Sequence, residues 1–204
     1  VYPAKVAFAP DNSDRLYIFR GSGPAGPQGG ILISDDNGQT WHETLSGYPL
    51  GAYAFNPLNP DEIYVATECM FDDEALLRST DGGESWERQE LPFRPYILDY
   101  IIDIAFDPRD PNNLIILEEN QIFSTSDDFM NFAEVTPDGY CWGTGVSINP
   151  YDSDDIIIGI DMQGIMRSGT RLQTSDITSS FALDLYCDDV AASGPNVYTL
   201  RNGI

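Results

Sequence analysis

A chain of 204 residues with 42% hydrophobic content, 18 glycines and 14 prolines is long enough for an apolar core and rich in turns, which excludes a coiled coil and a disordered chain. No apolar run approaches the roughly 20 residues of a membrane helix, so membrane insertion is not expected. The 33 acidic residues outnumber the 10 basic ones, Lys5 is the only lysine, and a net charge of −23 excludes nucleic acid and anionic membrane surfaces as partners.

In chain order, the first strand signal is Val6-Ala7-Phe8-Ala9-Pro10, an apolar run closed by a proline turn, followed by the β-rich run Leu16-Tyr17-Ile18-Phe19. Then comes the turn Ser34-Asp35-Asp36-Asn37-Gly38-Gln39-Thr40-Trp41. The same three elements return at 52–57, at 63–66 and in Ser79-Thr80-Asp81-Gly82-Gly83-Glu84-Ser85-Trp86. They return again at 104–108, at 114–117 and in the decayed turn Thr125-Ser126-Asp127-Asp128-Phe129-Met130-Asn131-Phe132. A fourth pair of strands lies at 146–150 and 156–159, and the turn near Ser168-Gly169-Thr170 has lost the motif. Val197-Tyr198-Thr199-Leu200 is the last β-rich run. These runs begin at 16, 63, 114, 156 and 197, spaced by 47, 51, 42 and 41 residues, the length of one four-stranded blade.

Each turn residue has a physical task. The Ser or Thr hydroxyl and the Asp carboxylate accept hydrogen bonds from amides that lack a strand partner. The glycine supplies a positive φ, and the Trp opens the outer strand and packs between sheets. The octapeptide resembles the Asp box of the bacterial neuraminidase repeat superfamily, which includes sialidases, sortilin-type receptor domains and xyloglucan-hydrolysing propellers. The resemblance implies an all-β fold, a β-propeller of four-stranded antiparallel blades with Asp-box hairpins, in which the Asp box is a folding device.

On this reading residues 1–204 form a single partial propeller. Its blades lie at about 4–45, 51–90, 101–135 and 143–183, with a half blade at 185–204. About four and a half blades form part of a larger ring, completed by further chain or further copies. The B–C and D–A loops then share one face of the blades, and the A–B and C–D turns share the other. The first face offers Tyr48, Phe71, Tyr96, Tyr100, Tyr140 and Trp142 beside Asp72, Asp73, Asp99, Glu118, Glu119 and Asp161. Aromatic faces with interleaved carboxylates suit sugar rings, which stack their C–H faces and offer hydroxyls to the acids. Tyr96, Tyr100, Tyr140, Trp142, Asp72, Asp73 and Asp99 are therefore the candidate substrate-binding residues, with packing and solvation as their ordinary alternative.

The segment Thr144-Gly145-Val146-Ser147-Ile148-Asn149-Pro150, with Ile160-Asp161-Met162-Gln163-Gly164-Ile165-Met166-Arg167, is similar to a catalytic-blade segment of xyloglucanases. That resemblance implies a catalytic role for Asp161, although Ile160 and Gln163 depart from the family's Thr and Gly. A similar string recurs in non-catalytic blades of the superfamily, where the alternative for Asp161 is a blade-motif residue that anchors the B–C turn. Hydrolysis would need a second carboxylate, and the sequence does not select one. A sialidase arginine cluster is absent from the loops, and His42, beside Trp41 on the outer strand, does not suit Ser–His–Asp chemistry. With His42 the sole histidine and Cys69, Cys141 and Cys187 far apart, no metal centre is expected. Calcium stays open among the acids, and so does the choice between one disulfide and three thiols. Two functions survive. One is an extracellular or cell-surface propeller that engages a polysaccharide or other glycan, as a glycoside hydrolase or a degenerate binding relative. The other is a non-enzymatic scaffold that holds a protein partner.

Overall fold

The computed structural model describes residues 3–21, 29–68, 76–91, 100–161, 164–173, 189–193 and 196–200. Among them every regular element is a strand, and no helix is long and apolar enough to cross a membrane. The chain divides into two units, Val1–Tyr100 and Ile101–Ile204.

The first unit holds two antiparallel four-stranded sheets. One contains β1 (Pro3–Phe8), β2 (Leu16–Arg20), β3 (Gly30–Ser34) and β4 (His42–Ser46); the other contains β5 (Leu50–Asn56), β6 (Asn59–Thr67), β7 (Leu76–Ser79) and β8 (Glu87–Gln89). The second unit holds β9 (Ile101–Asp107), β10 (Asp110–Glu118), β11 (Ile122–Thr125) and β12 (Ala133–Glu134) in one four-stranded sheet. It also holds the three-stranded sheet β13 (Gly143–Asn149), β14 (Asp152–Ile160) and β15 (Gly164–Ser168), and the pair β16 (Asp189–Ser193) and β17 (Asn196–Leu200). Within each sheet successive strands pair as neighbours, the meander that blades of a propeller require.

Burial follows from this layering. β5 alternates buried and half-buried side chains, the period of a strand with one covered face. β10 and β14 instead end in five consecutive buried residues, because sheet packing covers both of their faces. In the first unit Tyr17, Phe19, Ile31 and Ile33 meet Ile63, Val65 and Leu77, with Phe19 stacked on Tyr53 at 4.2 Å. In the second, Ile115, Leu117 and Ile122 meet Val146, Ile148, Ile156 and Ile158.

The Asp boxes hold their turns as their residue types require. Ser34 Oγ accepts the Gly38 amide at 2.8 Å, and Asp36 accepts the Thr40 amide and hydroxyl at 2.8 and 2.7 Å. Ser79, Asp81, Gly83 and Ser85 repeat this set. The Thr40 hydroxyl and amide hold the Asp36 carboxyl at about 2, and those of Ser85 do the same for Asp81. Gly38 and Gly83 sit at φ 83° and 91°.

The decayed third turn keeps the shape without glycine: Thr125 and Asn131 bind Asp127, and Phe129 stands at φ 65°. The fourth turn keeps the shape as well. Although its motif is lost, Ser168 Oγ still accepts the Thr170 and Leu172 amides at 3.2 and 3.0 Å, and Arg171 and Leu172 adopt φ 54° and 62°. Burial of Leu172 in the core holds the turn in glycine's place. In all four turns the residue before the glycine position donates its amide to the A–B side: Asn37 to Asp14, Gly82 to Asp61, Asp128 to Asn112 and Arg171 to Asp154.

A second repeated device was not foreseen from sequence. Glu62 accepts hydrogen bonds from Asn56 (2.6 Å) and from the guanidinium of Arg78 (Nε, 2.7 Å). Asp155 takes the same place between Asn149 and Arg167. The Arg167 guanidinium holds the Asp155 carboxyl below the usual carboxylate range.

Candidate functional site

In each of the first four sheets the pairing of the first strand (A) with the second (B) skips one residue near the start of strand A, a bulge that occurs at Ala4, Gly51, Ile102 and Thr144. Bulges bend a strand and re-aim the side chains beside it, and they recur next to active sites. In the second unit this end of the sheets carries the candidate site, where the loop before β13 meets the turn after β14.

Residues 140–144 and Asp161 build it. Tyr140 is buried, its ring in the apolar cluster with Leu117 and Ile160, and its hydroxyl donates to the Glu118 carbonyl at 2.6 Å. Gly143 makes room for that ring, because a Cβ there would lie 2.0 Å from the Tyr140 hydroxyl oxygen. Burial, followed by the negative charge of Glu118, pushes the Tyr140 phenol up out of the physiological range. Tyr140 is thus packed into the core rather than presented at the surface, unlike the exposed Trp142. Cys141 is a free, half-buried thiol; Cys69 and Cys187 lie outside the described residues.

Trp142 has the opposite character. It is 54% exposed, and its backbone is left-handed at φ 58°, a conformation that bulky residues rarely adopt. Its carbonyl accepts the Asp161 amide at 2.9 Å, so the exposed indole and the half-buried Asp161 are fixed to one another through the backbone. Thr144 follows at the bulge, its hydroxyl buried and without a hydrogen-bond partner. Among the described candidates, Trp142 and Asp161 are joined directly, backbone to backbone; an aromatic face with a carboxylate near it suits a sugar ring.

Of the remaining candidates, Tyr100 is half-buried directly before β9, the position Trp142 holds before β13. Tyr96, Asp72, Asp73, Asp99 and Phe71 lie outside the described residues. Glu118 is the last residue of β10 and fully buried.

Sequence reading missed a register relation. Glu68, Glu119 and Asp161 each directly follow strand B, after Thr67, Glu118 and Ile160, which pair with the first residues of β5, β9 and β13. The signal was present as an acid shortly after the second, third and fourth β-rich runs, but the loop lengths between motifs obscured it.

Among the described residues one trio could offer ligand atoms to a metal: Asp35, His42 and Glu84, all exposed, with ligand atoms within 4.8 Å of one another. Arg15 bridges its two carboxylates, at 3.2 Å to Asp35 and 2.7 Å to Glu84, and His42 lies 3.1 Å from Glu84. A guanidinium already supplies the positive charge there. His42 stands at the start of the outer strand β4.

The Sortilin-Vps10 family profile (Sortilin, neurotensin receptor 3) matches residues 29–176. Xyloglucanase Xgh74A of Acetivibrio thermocellus is 32% identical over 79 residues, covering 32% of this chain and 9% of that protein. A probable oligoxyloglucan-reducing end-specific xyloglucanase of Neosartorya fischeri is 21% identical over 161 residues, covering 72% of this chain and 19% of its own length. The chain thus spans less than a fifth of either relative. Among solved structures, the GH74 xyloglucanase from Xanthomonas campestris superposes with a TM-score of 0.71 at 18% identity, over 93% of this chain and 32% of that one. A structure of YCF48 bound to D1 peptide gives 0.63 at 14% identity, over 98% and 60%. At these identities the structural likeness shows the fold, a section of a β-propeller.

Proposed function

This chain belongs to the Sortilin-Vps10 family, and from that premise we propose that it is a carbohydrate-engaging propeller section whose polysaccharide site is built on Trp142 and Asp161. The observation that carries the reading is the exposed, left-handed Trp142 locked to Asp161 through the 2.9 Å backbone hydrogen bond. Bulky residues are held in such a conformation only where the surrounding structure over-determines it, and such strain clusters at ligand sites. Xyloglucanases among the relatives support a neutral plant-type polysaccharide as ligand. Such a ligand is met outside the cell or at its surface, where an acidic protein remains soluble.

Chemically, the indole face stacks on the apolar C–H face of a pyranose, and the Asp161 carboxylate accepts a hydrogen bond from an adjacent hydroxyl. In a hydrolytic version Asp161 would hold the proton for the leaving oxygen or activate water, and a second carboxylate would take the other role. No cofactor enters this chemistry.

The test is binding and hydrolysis of a polysaccharide panel that includes xyloglucan, using the longest natural form of the protein. Binding that weakens in Trp142→Ala is the expected result. Hydrolysis abolished by Asp161→Asn would establish a glycosidase, and binding without hydrolysis would establish a degenerate relative. A folded protein that binds no glycan would refute the proposal. A second reading, a propeller that holds a polypeptide, draws on the superposition over 60% of the D1-peptide-bound structure against 32% of the xyloglucanase. Peptide-array binding with a silent glycan panel would favour it.

A further inference from the structure

The peptide group between Trp142 and Gly143 is held from both sides. Its carbonyl accepts the Asp161 amide at 2.9 Å, and its N–H donates to the Glu119 carbonyl at 3.1 Å. Asp161 comes from the turn after β14, and Glu119 from the turn after β10 in the neighbouring sheet of the same unit. A planar trans peptide of standard dimensions spans little, so the two acidic residues' bonded backbone atoms are no more than about 8 Å apart. They occupy the same register position in successive sheets, directly after the strand B residues Ile160 and Glu118. Both are half-buried, and Trp142, whose side chain is exposed, supplies the carbonyl of the peptide bonded between them.

We infer that Glu119 is the second carboxylate of the Trp142 site, so that a sugar stacked on the indole meets one acid at each edge. The assignment rests on the proposed function and extends it, because the sequence selected no partner for Asp161. It also narrows the ligand class. Two carboxylates flanking one aromatic face accept hydrogen bonds from hydroxyls that project outward around a flat ring, as equatorial hydroxyls of a gluco-configured pyranose do. The same pair repels a sugar that carries its own carboxylate, so uronate- and sialate-bearing polymers are excluded. Behind burial and the charge of Glu118, the charge of Glu119 also opposes ionisation of the Tyr140 phenol.

The experiment is isothermal titration of the longest natural form with cellohexaose, a neutral β-linked glucan, and with polygalacturonate, an anionic one. The unmodified protein is expected to bind the first and not the second. Glu119→Gln should weaken cellohexaose binding on the order of ten-fold or more, the worth of one charge-assisted hydrogen bond, with its thermal midpoint unchanged. The double variant Glu119→Gln/Asp161→Asn should gain measurable affinity for polygalacturonate, a readout that a purely structural role for Glu119 would not move. Wild-type affinity in Glu119→Gln beside weakened binding in Asp161→Asn would overturn the assignment while leaving the proposed function standing. An unmodified protein that binds no neutral glucan would overturn both.

Discussion

Replacing Trp142 by alanine and by glycine separates the two features of the site, the ring and the backbone that presents it. The ring is 54% exposed, so somewhat under half of its area is lost from contact in either variant. With a tryptophan burying up to about 250 Å² when fully covered, that is on the order of 100 Å², or about 2.5 kcal/mol. Both variants lose this amount and should be less stable than the parent. They differ in backbone: at φ 58° alanine keeps the left-handed penalty of about 1–2 kcal/mol, and glycine removes it. Glycine gives back about 0.5–1 kcal/mol through the greater freedom of its unfolded chain. Trp142→Gly should therefore exceed Trp142→Ala by about 0.5–1 kcal/mol, the reverse of the usual order of these residues. Urea unfolding of both variants, compared at equal m, measures the difference, and glycan binding should weaken equally in both. An alanine variant as stable as or more stable than the glycine variant would refute the claim that Trp142 is held under backbone strain.

Restoring glycine at Leu172 should destabilise the fourth turn by about 1–3 kcal/mol. The buried side chain there is worth more than the left-handed strain it carries, and a gain in stability in urea would contradict this. Asp128→Gly, at an exposed left-handed position of the third turn, should be neutral or stabilising by up to about 1 kcal/mol in the same assay. Asp36 and Asp81 have folded pKa values of about 2, below the ordinary 3.8, so their stabilising contribution is complete above pH 4 and lost as pH falls from 4 towards 2. Asp36→Asn/Asp81→Asn should flatten the dependence of thermal midpoint on pH over that window, and an unchanged slope would show that the boxes do not titrate as described. Tyr140→Phe removes the 2.6 Å hydrogen bond to the Glu118 carbonyl and leaves a buried acceptor, so it should cost about 1–3 kcal/mol. Glycan affinity should hold in that variant, and its loss would return Tyr140 to the binding surface.

The strands and the first two Asp boxes were legible because both rest on local signals. Side-chain alternation reports a covered sheet face, and Ser, Asp and Gly at fixed offsets report a turn that needs acceptors and a positive φ. The fourth turn was not legible, because its shape depends on burial of Leu172, a tertiary contact, and on the Ser168 hydroxyl alone. The fate of the loop aromatics divided on the same ground. Tyr140 and Trp142 are two residues apart in one loop, and only the space left by Gly143 and the carbonyl of Glu118 sends the first inward. The Asn56–Glu62–Arg78 and Asn149–Asp155–Arg167 networks span adjacent strands, so their members are scattered in sequence and align only through register. Asp161 was found through family resemblance, whereas Glu119 emerges only when the peptide between the two loops is seen bonded on both sides.

The most direct test is a crystal structure of the longest natural form with a bound xyloglucan oligosaccharide. The account predicts a pyranose ring stacked on the Trp142 indole with a hydroxyl donating to the Asp161 carboxylate. An oligosaccharide bound with full occupancy on another surface, with the Trp142 indole bare, would contradict it.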